Sequence, residues 1–263
     1  MSKLILSEKQ GLHEQFGEKE EIGGNHYRSW VGPPNYYDLI GATQFNLLTL
    51  FGMRETSTLL DIGCGSLRGG RFSIMYLRPG KYFGLEPEEW AVQDGLQSHF
   101  GKEFAERKQP TFVYDSNYTF TKFERKFDYL MAHSIFTHAP EKQIRLCLSE
   151  AAKVMAPETI FLATFFESLD GTDYTGEEWL YPDIVRFRKS TITSFVEGAG
   201  LECQHFDWAH PFNQKWVAVT LKGNMPDVKK LLGGYIYSYE AALERRANAT
   251  TWPTSPTDNA TAK

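Results

Sequence analysis

The 263-residue sequence predicts an α/β fold, a single doubly wound and mostly parallel sheet with helices on both faces. Three observations predict it. Strand-like apolar runs alternate with helical patterns over residues 36–222, as right-handed βαβ crossovers require. The run Leu59-Leu60-Asp61-Ile62 ends in Gly63-Cys64-Gly65-Ser66-Leu67-Arg68-Gly69-Gly70, a glycine-rich turn from strand into helix. A second strand pattern, Lys81-Tyr82-Phe83-Gly84-Leu85-Glu86, ends in an acid about twenty residues beyond that turn.

The elements follow in order. Residues 1–35 read as an arm or cap, closed by Gly32-Pro33-Pro34-Asn35-Tyr36, a rigid turn before a helix. Tyr36 to Phe51 has helical spacing through Ile40, Gln44, Leu47 and Leu48, and Gly52 stops it. After the first strand comes a helix over Arg71 to Leu77, then the second strand. A third strand, Thr111 to Tyr114, enters the turn Asp115-Ser116-Asn117, and a fourth spans Phe127 to Ala132. Pro140 begins a helix through Ile144, Leu148, Ala151 and Met155, which Pro157 ends before a fifth strand over Thr159 to Phe165. The acidic, aromatic stretch from Glu167 to Phe187 is either a lid over the ligand edge of the sheet or a surface loop. Ser190 or Thr191 caps a helix ending at Gly198-Ala199-Gly200, and strands follow at Leu201 to Trp208 and Trp216 to Leu221. One domain therefore occupies residues 36–222, with a helical extension over 223–248 that packs on the core. The Thr/Pro/Asn/Ala-rich residues 249–263 read as a disordered tail.

Composition narrows the function. A net charge of -5 and no basic run interleaved with aromatics disfavour a nucleic-acid partner. Three cysteines, Cys64, Cys147 and Cys203, have no paired spacing, which fits a reducing, cytoplasmic setting and no zinc site. No segment is apolar for long enough to span a membrane. The acids Asp170, Asp173, Glu177 and Glu178 lack metal-ligand spacing, so no metal is expected. Nothing in the sequence sets the oligomeric state.

The glycine turn places a helix N-terminus and a close-approaching backbone beneath a nucleotide-like cofactor. The dinucleotide fingerprint is G-x-G-x-x-G, whereas here Gly63, Gly65 and Gly69 follow G-x-G-x-x-x-G, with Asp61 two residues ahead. That pattern resembles the first motif of class I S-adenosylmethionine-dependent methyltransferases. The run His133-Ser134-Ile135-Phe136-Thr137-His138 after the fourth strand is similar to one in members acting on small molecules. The resemblance implies the strand order 3-2-1-4-5-7-6 with the seventh strand antiparallel. It also implies S-adenosylmethionine as cofactor, held by Asp61, Gly63, Cys64, Gly65, Arg68, Gly69, Glu86, Asp115 and His133. Glu86 takes the ribose hydroxyls, with a solvated acid at a helix N-terminus as the alternative. Asp115 takes the adenine amino group, or makes a plain turn.

Methyl transfer to a hydroxyl needs a proton acceptor, and histidine suits neutral pH. His133, His138 and His210 are the candidates, His133 first because it leaves the strand nearest the methyl; a structural role is the alternative for each. Trp30, Tyr36, Tyr37 and Trp179 are candidate acceptor contacts. The run Tyr37 to Phe45 with Leu67-Arg68-Gly69-Gly70 is similar to a bacterial and phage subgroup found beside glycan-assembly enzymes, which makes a sugar hydroxyl a plausible acceptor beside other small molecules. An NAD(P)-dependent oxidoreductase and a catalytically silent cofactor-binding module remain as alternatives.

Overall fold

The computed structural model describes residues 20–233; the expected arm over 1–19, most of the helical extension and the tail lie outside the described residues. The strands are β1 (Leu59–Ile62), β2 (Tyr82–Leu85), β3 (Thr111–Val113), β4 (Phe127–Ala132), β5 (Met155–Phe165), β6 (Leu201–Phe206) and β7 (Lys215–Leu221). The helices are α1 (Tyr27–Trp30), α2 (Tyr37–Leu50), α3 (Gly70–Tyr76), α4 (Glu89–His99), α5 (Lys102–Lys108), α6 (Glu141–Val154), α7 (Lys189–Gly198) and α8 (Val228–Gly233). A 3-10 turn, Pro34–Tyr36, leads into α2 as the two prolines dictate.

The seven strands form one sheet in the order β3-β2-β1-β4-β5-β7-β6, with β7 antiparallel to both neighbours. This is the expected topology. Its chain order runs outward from β1 through β2 to β3, and outward the other way from β4 to β5. Right-handed crossovers in opposite directions place their helices on opposite faces. The four residues of β1 and of β2 are all buried, as a parallel sheet covered on both faces requires. The core is continuous from Leu60 and Leu85 through Phe127, Leu148 and Phe161 to Phe195 and Val217.

Two element boundaries differ from expectation. Pro157 does not end α6; the helix stops at Val154 and β5 already begins at Met155. The proline is accommodated because the β4–β5 register shifts there, pairing Phe127 with Met155 but Tyr129 with Ile160. Neither Ser190 nor Thr191 caps α7, which begins at Lys189. A distant loop ties down this helix start: the Asp173 carboxylate accepts the Arg188 N–H and the Thr191 hydroxyl, each at 2.7 Å. Helix α8 follows Asp227, whose carboxylate accepts the Lys230 N–H at 3.0 Å.

The glycine turn is held from two sides. A Cβ on Gly41 of α2 would overlap the Arg68 carbonyl, and one on Gly95 of α4 would overlap the Ser66 carbonyl. Both helices therefore rest directly on the backbone of residues 66–68. Gly95→Ala is expected to destabilise the protein by about 1–3 kcal/mol through overpacking. Thermal denaturation would read this as a fall of roughly 2–10 °C.

Candidate functional site

The carboxyl ends of β1 to β5 and the β6–β7 connection converge on a cavity of about 860 Å³. It sits where the strand order reverses between β1 and β4, the crevice where open α/β sheets bind ligands. Its volume lies near the top of the roughly 300–1,000 Å³ range of small-molecule sites.

One half is built from the ends of β1, β2 and β3. Gly63 and Gly65 have φ of +66° and +52°, which turn the backbone so that the N–H groups of Gly63 and Cys64 both reach the Leu85 carbonyl. Glu86 faces this turn: one carboxylate oxygen accepts the Gly65 N–H at 2.8 Å and the other the Glu88 N–H at 3.1 Å. Each oxygen keeps a second lone pair, so a pair of ligand hydroxyls can still be accepted. Burial pushes the Glu86 carboxyl up to about 7. Asp61 accepts the Tyr82 hydroxyl at 2.7 Å, and burial pushes it up to about 6. Cys64 lines the same wall, its thiol pushed up by burial and by the two acids, so it is no reactive thiolate. Gly69 lines it too.

Asp115 lines the far end, yet its carboxylate closes its own turn. It accepts the Asn117 N–H at 3.0 Å, the Lys122 ammonium at 3.0 Å and the Thr119 hydroxyl. Burial opposes ionisation here, but the bonds from Thr119 and Lys122 hold the carboxyl below its usual value. The turn role and the place in the cavity wall coexist.

The other half is built from the ends of β4, β5 and β7. Arg68 reaches across from the glycine turn, donating to the Val31 carbonyl and, at 3.1 Å, to His133 Nδ1. Its buried Nε has no partner, and burial lowers the guanidinium to about 10, so it stays charged at neutral pH. His133 Nε2 meets His210 Nε2 at 3.1 Å, and His210 Nδ1 faces the N–H groups of Phe212 and Gln214.

Counting protons along this row is decisive. Arg68 and the two backbone N–H groups only donate, so each end calls for a ring lone pair. The central contact needs one proton and one lone pair. Two neutral imidazoles hold only two lone pairs among the three called for, and the Ser134 hydroxyl also lies 3.1 Å from His133 Nδ1. A further proton has no place. Burial, then Arg68, drives His133 well below the usual histidine value and His210 down to about 3. Both rings are thereby disfavoured from holding a proton, which counts against the expectation that His133 is the leading base with His210 beside it. Arg68→Met is expected to return His133 toward ordinary histidine titration, read by NMR of the ring protons.

His138 differs. Its Nδ1 lies 2.9 Å from the Leu180 carbonyl and 2.7 Å from the Asp183 carbonyl, which only accept, so Nδ1 carries the proton. The lone pair is on Nε2, which no hydrogen bond engages among the described residues. Burial lowers its affinity for a proton, and the two carbonyls oppose that. His138 lines the cavity and its ring packs edge-on against Tyr181, centroids 4.9 Å apart.

The stretch 167–187 is tied down over the end of β4. Leu180 N–H donates to the His138 carbonyl at 2.9 Å, and Val185 N–H to the Thr137 carbonyl at 2.8 Å. It brings Trp179, Tyr181, Pro182 and Ile184 to the cavity. The Tyr181 hydroxyl donates to the Trp30 carbonyl, which joins this stretch to the N-terminal segment across the opening. Trp30 and Trp179 thus line the cavity as expected. Tyr36 and Tyr37 do not. Tyr37 is fully buried, donating to the Ser66 carbonyl at 2.8 Å beneath the Arg28 and Arg71 guanidinium groups. Tyr36 stands behind Phe212, centroids 5.0 Å apart, and it is Phe212 that reaches the cavity. The sequence reading missed Val31, Gln44, Tyr181 and Gln214, none of which carries a local signature.

Among the described residues no group of three or more His, Cys, Asp or Glu side chains could hold a metal ion, and no helix is long and apolar enough to cross a membrane.

No family model matches the chain. Solved structures do. A magnesium protoporphyrin IX methyltransferase (ChlM) from Synechocystis PCC 6803 with bound SAM superposes with a TM-score of 0.55 at 13% identity, over 79% of this chain and 91% of that one. The DhpI-SAH complex gives 0.52 at 14% identity over 75% and 94%. The glycopeptide N-methyltransferase MtfA complexed with S-adenosyl-L-methionine gives 0.53 at 10% identity over 69% and 94%. The chain has the class I S-adenosylmethionine-dependent methyltransferase fold.

Proposed function

We propose that this protein is an S-adenosylmethionine-dependent methyltransferase acting on a hydroxyl of a small molecule. Glu86 carries the reading: a buried carboxylate fixed by two backbone N–H groups beside the glycine turn, each oxygen with a lone pair to spare for a ribose diol. The remaining residues fit the rest of such a cofactor. Asp115 and Ser116 would take its adenine, the backbone of Gly63 to Gly65 would lie along its nucleoside, and Gly69 with the partly unpartnered Arg68 would hold its carboxylate. We assign this unit to residues 36–222, capped by the segment that holds Trp30 and Val31.

When bound, S-adenosylmethionine supplies a sulfonium methyl already activated for transfer. The chain's own task is alignment, water exclusion and proton removal, and alignment alone can lower a barrier by about 7–11 kcal/mol in good cases. In this reading His138 Nε2 takes the acceptor's hydroxyl proton, its tautomer fixed by the Leu180 and Asp183 carbonyls. The neutral His133–His210 pair and Arg68 form the wall between the two halves.

Calorimetric titration with S-adenosylmethionine, S-adenosylhomocysteine and NAD tests the donor. Heat with both sulfur compounds and none with NAD is expected; binding of NAD alone would end the reading. Labelled-methyl transfer against a panel of hydroxylated metabolites and glycans then separates an enzyme from a silent binding module.

A further inference from the structure

The two halves of the cavity differ in chemistry. Every acid that lines it, Asp61, Glu86, Glu88 and Asp115, comes from the ends of β1, β2 and β3. Among the described residues no carboxylate lines the half at the ends of β4, β5 and β7, while the Arg68 cation stands at its edge. A cationic amine would find no counter-charge there.

Polar groups are scarce in that half as well. Ser134 and Gln214 are bonded to each other, His210 to His133, and the Tyr181 hydroxyl to Trp30. What carries no such bond is His138 Nε2, the Gln143 amide and the indole N–H groups of Trp30 and Trp179, while Gln214, Ser134 and Tyr181 keep only the capacity left over from theirs. A sugar buried against such a wall would leave several hydroxyls without partners, and each unmet group is costly. The apolar side is the opposite. Trp30, Phe166, Trp179, Tyr181 and Phe212 supply rings, and Ile184 supplies aliphatic surface. Trp179, Ile184 and Phe212 are also exposed, at 40%, 39% and 37%, so flat apolar surface continues to the mouth.

Resting on the proposed methyltransferase reading, we infer that the acceptor is an aryl alcohol: an uncharged, planar, ring-bearing molecule with a phenolic hydroxyl aimed at His138 Nε2. One base then meets one acidic hydroxyl. The oxygen–methyl bond forms as the sulfur–methyl bond breaks, sulfur keeps the electron pair as a neutral thioether, and the phenolic proton goes to His138. The remaining rings stack on the aromatic walls, which stabilise planar ligands without demanding polar partners.

The test uses the full chain saturated with S-adenosylhomocysteine and three probes in calorimetry: 2-naphthol, 2-naphthylmethylammonium and methyl β-glucoside. 2-Naphthol is expected to bind at least tenfold more tightly than either of the others. Trp179→Ala, at an exposed position, is expected to weaken 2-naphthol at least tenfold and to leave S-adenosylhomocysteine affinity unchanged, which also reports an intact fold. Equal or tighter binding of the ammonium or the glucoside overturns the inference, as does 2-naphthol binding that Trp179→Ala does not alter. Failure of S-adenosylhomocysteine itself to bind would instead remove the methyltransferase reading, so the two failures are told apart.

Discussion

Glu86→Gln is expected to weaken S-adenosylhomocysteine binding about 100-fold, and to abolish the pH dependence of that binding. The amide keeps the side-chain shape but offers one acceptor oxygen where the carboxylate offers two. Its NH₂ must then face either Gly65 N–H or Glu88 N–H, donor against donor, in place of the present bonds at 2.8 and 3.1 Å. Losing one charge-assisted bond costs about 1.5–3 kcal/mol. The lost charge weakens the surviving bond, and 1.4 kcal/mol is about tenfold in affinity.

The pH signature follows from burial. Burial holds Glu86 at about 7, above the usual glutamate value, so the acid is largely protonated at pH 6. The ribose diol needs the carboxylate. Affinity of the unaltered protein is therefore flat well above pH 7 and falls by up to about tenfold per unit below it. Calorimetry at pH 6 in two buffers of different ionisation enthalpy should show a proton released on binding, and at pH 8 none. The sign for stability is the opposite. A raised carboxyl favours the folded protein below about pH 4.5, and that contribution is lost as pH rises through about 7. A pH-independent affinity in the unaltered protein would remove Glu86 from the ribose.

How much of this was legible in the sequence depends on whether the signal is local. The sheet order and the glycine turn were readable, because strand periodicity and glycine spacing are set by neighbours along the chain. Glu86 was placed for the same reason, at the end of a strand a fixed distance from the turn. The Asp115 turn was equally local, and the structure shows that turn closed by its carboxylate. The tie at the start of α7 was not legible, since Asp173 lies 15 residues before the Arg188 N–H it accepts. Tyr36 and Tyr37 show the limit in the other direction. Helical phase put Tyr37 on the buried face of α2, but nothing local told that face from the ligand side. The histidines are the clearest case. Strand position ranked His133 first; the burial and the guanidinium 65 positions away in sequence, which count against that ranking, have no trace in the motif.

That contrast yields a direct comparison of two variants. His138→Asn is expected to lower kcat by 10²–10⁴-fold, the usual contribution of a positioned base. Asparagine keeps an N–H donor for the Leu180 and Asp183 carbonyls, so the stretch that covers the cavity stays anchored while the basic nitrogen is gone. Affinity for S-adenosylhomocysteine should be unchanged. The pH profile carries the assignment. Burial lowers His138 below the usual histidine value, so kcat declines only on the acid side, as Nε2 is protonated. That acid limb should vanish in His138→Asn. In His133→Asn it should persist, because His133 is held neutral by burial and Arg68 and has no proton to gain in this range. The cost there should fall on cofactor affinity, since Arg68 loses the ring that fixes its guanidinium at 3.1 Å. Labelled-methyl transfer to the acceptor found in the panel reads both quantities. An acid limb lost with His133 and retained without His138 would return the base to the end of β4. The opposite pattern leaves proton removal to the one histidine whose lone pair the fold does not use.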